Sequence, residues 1–137
     1  MPVAPTPWVG GCLCGAVRYR ATGLARAGYC HCRMCQKASG APVVAWLMVP
    51  ADQYEVTKGK VSSYRSSAEA DREFCGTCGT QLVFRPRKAR NEVDINLATL
   101  DHPEAVVPKS HIFTSSQMPW LHIHDDLPRF KEGHPET

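Results

Sequence analysis

No apolar run in the chain approaches the roughly 18 residues that a helix needs to cross a bilayer, so a membrane-spanning helix is not expected. The N-terminus, Met1 to Trp8, carries three prolines and lacks the ordered basic, apolar and cleavage regions of a secretory leader. A reducing, cytoplasmic compartment is therefore expected. Internal repeats, low-complexity stretches and linker-like segments are missing. Long helical periodicity is missing too, which argues against a helical bundle. Charge of one sign is scarce: the formal net charge is only +3, and the last seven residues are mixed rather than basic. So small an excess disfavours strong, non-specific attraction to nucleic acid. Cysteine is absent from most of the sequence, and every cysteine falls into one of three tight groups.

Those groups dominate the reading. They are Cys12-Leu13-Cys14, Cys30-His31-Cys32-Arg33-Met34-Cys35 and Cys75-Gly76-Thr77-Cys78. Seven is odd, so a complete disulfide framework within one chain is impossible. Zinc holds sulfur at about 2.3 Å in a tetrahedron, which sets neighbouring sulfurs about 3.8 Å apart. CxC and CxxC turns deliver that spacing. Four ligands close a tetrahedron and give a structural site, whereas three leave a position open, as catalytic sites do.

Cys75 and Cys78 form a knuckle in which Gly76 and Gly79 free the backbone to curl around sulfur. A thioredoxin-like redox pair is the competing use of CxxC, but that motif opens a helix and here a strand-like run follows. Cys12 and Cys14, flanked by Gly10, Gly11 and Gly15, are the natural donors of two further sulfurs, although spacing alone does not fix the partition. Cys30, Cys32 and Cys35 then remain as a compact trio with no evident fourth ligand. His31 stands between two ligands, where its side chain would point away from them. His111, His122 and His124 are distant alternatives that more often serve as surface or packing residues. Three thiolates make zinc soft and receptive to a fourth sulfur, and a thiol bound there loses its proton yet stays nucleophilic. Thiol addition to a small electrophile such as an aldehyde follows. A second structural zinc is the plainer reading. Arg33, Lys37 and Ser39, beside the trio, are candidates for holding a carboxylate or oxyanion, or are simply solvated.

Period-two patterning and turn residues predict strands at Ala16–Ala21, Val43–Val49, Tyr54–Thr57, Thr80–Phe84, Val93–Leu97 and Lys109–Phe113. A short helical turn is expected over Arg33–Ser39, stopped by Gly40 and Pro42. The length of 137 residues fits a single domain, residues 1–137 with a core of about 10–130, mainly β with metal-bearing turns.

The three cysteine groups in this order, with Gly10-Gly11 and Gly15-Ala16-Val17-Arg18-Tyr19 around the first and Gln36-Lys37-Ala38-Ser39-Gly40 after the second, resemble the glutathione-dependent formaldehyde-activating enzyme family, to which centromere protein V also belongs. Phe74 before the third group, His111-Ile112-Phe113, Pro119-Trp120 and Asp126 to Phe130 extend the resemblance from about Gly10 to Phe130. The resemblance implies a β-tent of twisted antiparallel sheets with zinc at one end. It implies a structural zinc on Cys12, Cys14, Cys75 and Cys78 and a catalytic zinc on Cys30, Cys32 and Cys35, two per chain. The implied activity is that of a carbon–sulfur lyase of the S-hydroxymethylglutathione synthase type, with a small thiol, possibly glutathione, as substrate. The alternative is a non-catalytic zinc module for a protein or nucleic-acid partner.

Overall fold

In a computed structural model that describes residues 7–87 and 91–135, the chain is mainly β. Among these residues, ten strands fall into two sheets. The smaller holds β1 (Trp8–Gly11), β2 (Arg18–Ala21) and β5 (Tyr54–Lys58), in the order β1-β2-β5. The larger holds β3 (Arg26–Cys30), β4 (Val44–Pro50), β6 (Ser62–Ser67), β7 (Ala70–Phe74), β8 (Gln81–Pro86), β9 (Glu92–Asn96) and β10 (His111–Ile112). Its order is β10-β3-β4-β9-β8-β7-β6. Among the described residues, all strand-to-strand pairings are antiparallel except β10 on β3, which is parallel and only two residues long, and an isolated parallel bridge joins His111 to Arg129. The strand expected over Lys109–Phe113 thus shrinks to His111–Ile112: Lys109 N–H still donates to Ala27 O and Ser110 O accepts from Tyr29 N–H, but Phe113, with a φ of 55°, leaves the extended region and ends the strand. The one α-helix among the described residues, α1, spans Arg33–Ser39 and ends on Gly40, whose φ of 75° is the left-handed cap that glycine accepts without strain.

β1, β3, β6 and β7 are strands that the patterning did not single out. Ser62–Ser67 is polar but for Tyr64, and Arg26–Cys30 includes Ala27 and Gly28, which carry little strand propensity. These strands are held by their ladders to neighbours. β4 explains its unbroken apolar run by being covered on both faces. Leu47 and Val49 enter the main core with Trp8, Tyr19, Leu82 and Ile95, whereas Val44 and Trp46 join a second cluster with Cys30 and Cys35. The larger sheet therefore packs against the smaller one with one face and carries the trio on the other. Among the described residues, no helix is long and apolar enough to cross a membrane.

Candidate metal centres and active site

The turn after β1 and the turn between β7 and β8 bring Cys12, Cys14, Cys75 and Cys78 together, with all four sulfurs within 4.8 Å of one another. Cys14 Sγ lies 3.7 Å from Cys12 Sγ and 3.8 Å from Cys75 Sγ, the edge length expected of a zinc tetrahedron. Backbone geometry makes the turns. Val17 N–H donates to Cys12 Sγ at 3.2 Å, and the N–H groups of Thr77 and Cys78 both reach Cys75 Sγ at 3.4 Å. Gly79 has a φ of 82°. Gly76 serves differently, since a Cβ there would stand 2.5 Å from Ser62 Oγ. Thr80 bridges the two turns, its hydroxyl accepting from Leu13 N–H at 3.0 Å and lying 3.2 Å from Cys78 Sγ. That hydroxyl, together with the Thr80 N–H, pulls the Cys78 thiol down to about 5. The site joins a turn of the smaller sheet to a turn of the larger. Its donor set, four sulfurs at tetrahedral spacing, fits zinc.

The trio lies elsewhere. β3 ends on Cys30, Cys32 precedes α1, and Cys35 stands in the first turn of α1. Cys30 and Cys35 are buried, with their sulfurs 3.7 Å apart. Hydrogen bonds from Cys30 and then Cys35 hold the half-exposed Cys32 thiol far below its ordinary range, to about 2. The three sulfurs line a cavity of about 290 Å³ with Trp46, Met48, Phe84, Ile112 and Phe113. Phe113 is the one non-glycine residue with positive φ, 55°, among the described residues, an uncommon conformation for a bulky side chain. Gly133 and His134 from the C-terminal segment complete the wall, with His134 Nε2 lying 3.2 Å from Ser110 Oγ.

His31 does point away from its flanking cysteines. It is fully buried, with Nε2 2.9 Å from His111 Nδ1, and His111 Nε2 is 2.9 Å from Asp125 Oδ2. The ionised Asp125 accepts from His111 Nε2–H, which leaves His111 Nδ1 to accept from His31 Nε2–H. His31 Nδ1 is then a bare acceptor, and it has no partner among the described residues. Burial, then the neighbouring His111, lowers His31 to about 4. His122 and His124 are exposed. Ser39 closes α1, donating to Cys35 O at 2.8 Å, while Arg33 and Lys37 are exposed on the helix.

Three contributors escaped the sequence reading. Gln36, buried in α1, donates through Nε2 to His31 O at 2.9 Å and to Ser116 O at 3.1 Å, clamping the trio loop. Asp125 fixes the histidine pair from a segment without regular structure. Arg72 of β7 reaches over Phe84, 4.9 Å from its guanidinium carbon to the ring centre, and donates from Nη2 to Cys35 Sγ at 3.5 Å. The signal for Arg72 was its place three residues before Cys75, within a strand that the patterning passed over.

Residues 7–116 match the family model described as glutathione-dependent formaldehyde-activating enzyme, and the chain belongs to that family. An uncharacterized lyase of Schizosaccharomyces pombe is 32% identical over 88 residues, which are 64% of this chain and 64% of the relative. The aligned region thus spans less than two thirds of that relative's length. A crystal structure of a Rhodobacter sphaeroides protein superposes with a TM-score of 0.57 at 26% identity, covering 68% of this chain and 87% of the other.

Proposed function

We propose that the chain is a zinc-dependent carbon–sulfur lyase acting on a thiol–aldehyde adduct of the S-hydroxymethylglutathione type. In this reading residues 1–137 form one domain, Cys12, Cys14, Cys75 and Cys78 hold a structural zinc, and Cys30, Cys32 and Cys35 hold a second. Family membership and the lyase name of the fission-yeast relative support the class of activity. The observation that carries the site assignment is the contrast between four sulfurs within 4.8 Å of one another and three cysteines that line a cavity. Zinc on the trio would supply a Lewis acid that holds a bound thiol in its ionised form. The chain's own residues do the rest. Trp46, Phe84 and Phe113 exclude water and so strengthen charge interactions at the sulfurs. Arg72 offsets the negative charge gathered at Cys35. Gln36 and the His31–His111–Asp125 chain fix the loop from behind. In the condensation, the sulfur lone pair forms the bond to the aldehyde carbon and the thiol proton ends on the carbonyl oxygen; lysis reverses both.

Exchange NMR on equilibrated glutathione and formaldehyde tests this reading. The zinc-loaded protein should accelerate interconversion of adduct and free thiol over buffer, and Cys35→Ser should remove the acceleration. An interconversion rate equal to that in buffer would sink the lyase reading and favour a non-catalytic zinc module.

A further inference from the structure

A second depression adjoins the trio cavity. It measures about 670 Å³ and shares Met34 and Arg72 with that cavity. Its size falls within the roughly 300–1,000 Å³ range of small-molecule sites. A small aldehyde needs none of that volume, so the groove can serve the body of the thiol. The charge there is one-sided. Arg33, Lys37 and Arg72 line the groove, and its described lining holds no acidic side chain. The acids that flank Arg72 on β7 are committed elsewhere: Glu73 pairs with Arg85 at 2.6 Å and Asp71 with Arg87 at 3.3 Å. In the cross-strand row, Phe84 stands between Arg72 and Asp94.

Arg72 supplies a second, independent observation. It is 6% exposed, and its Nη1 is buried with no hydrogen-bond partner. A buried guanidinium nitrogen left unpaired is costly, and arginine's planar fork is matched to carboxylates. An apolar wall of Met34, Tyr64 and Phe74 completes the groove.

We propose that this groove is an anion-recognition subsite in which Arg72, assisted by Arg33 and Lys37, takes a carboxylate of the thiol substrate. The inference rests on the reading that a substrate thiol enters at the trio, and it names the residues that choose which thiol enters. Uncharged thiols should then be poor ligands, however well their sulfur fits.

Titration calorimetry of the zinc-loaded protein, with metal content checked before and after, compares glutathione with the same tripeptide bearing both carboxylates as amides. Glutathione should bind about tenfold tighter or more, the scale of a charge-assisted hydrogen bond. The gap should narrow as salt rises. Arg72→Gln should close most of it and Arg72→Lys part of it. Because Arg72 is buried and its variants could unfold, the exposed pair Arg33→Gln/Lys37→Gln carries the test independently, with a smaller narrowing expected. S-methylglutathione, which lacks the thiol, should still bind wild type more tightly than that double variant. Equal affinity for acid and amide overturns the anion subsite and leaves the thiol reading standing. Charge-dependent binding of S-methylglutathione without tighter binding of glutathione supports the subsite and overturns the thiol reading. No binding of any of the three overturns both.

Discussion

At the scale of single residues, the two cysteine groups should respond differently to the same substitution. Cys75 is buried, accepts two backbone N–H groups and belongs to the closed group. Cys75→Ser should therefore give unfolded or insoluble protein. Cys32→Ser, at the rim of a cavity, should give soluble protein that has lost the trio's function. Expression followed by solubility and circular dichroism separates the two, and equal damage would show the ligand partition to be wrong. Asp125 offers a pH-dependent check. Its bond from His111 holds its carboxyl below the ordinary 3.8. A depressed carboxylate contributes stability that is present above the unfolded value and is lost as pH falls through the folded one. The difference in urea midpoint between wild type and Asp125→Asn should thus hold steady from about pH 7 to 5 and shrink only below about 4. A difference that vanishes already at pH 6 would mean that the carboxylate does not carry it.

At the scale of elements, β4 organises the molecule because its two faces do different work. Leu47 is fully buried in the core between the sheets, and Trp46 faces the trio. Leu47→Ala should cost about 2–5 kcal/mol of global stability, as large-to-small core changes do. Trp46→Ala should also weaken thiol binding at the trio, which calorimetry on folded protein would detect. If Leu47→Ala altered thiol binding as much as Trp46→Ala did, the separation of faces would not hold. The helix α1 was legible over the same seven residues, Arg33–Ser39, because its stop signals are local: a glycine that accepts positive φ, followed by a proline. β6 and β7 were not legible. Their sequence, Ser62–Ser67 and Ala70–Phe74, lacks apolar alternation, and their place is set by pairing, β7 with β8 and β6 with β7.

At the scale of the whole molecule, the closed cysteine group ties a turn of the smaller sheet to a turn of the larger, and its outermost members, Cys12 and Cys78, lie about half the chain apart. Zinc on such a group is worth about 10–16 kcal/mol in small zinc peptides, as much as the entire stability of a typical domain, about 5–15 kcal/mol. Protein purified without chelator should carry close to two zinc per chain by elemental analysis. Mild chelation should remove the trio's metal first, with little loss of structure. Removal of the second should then unfold the protein, followed by circular dichroism. A single zinc per chain, with the trio empty after gentle handling, would remove the basis for catalysis at the trio.

The sequence by itself determined the three tight cysteine groups, the family they mark, the mainly β class and the turns at Gly40 and Gly79. All of these depend on neighbours in the chain, where spacing and backbone freedom are local quantities. That His31 turns its back on the trio also followed from its position between two cysteines. Tertiary structure alone decided the rest. The meeting of Cys12 and Cys14 with Cys75 and Cys78, the burial of His111 against His31 and Asp125, and the arrival of Arg72 over Cys35 all join residues far apart in sequence. Such contacts are set by sheet order and register, which place a side chain by its partner strand. Arg72 therefore reads in the sequence as an ordinary surface cation, and only the ladder from β7 through β8 to β9 turns it inward to the trio.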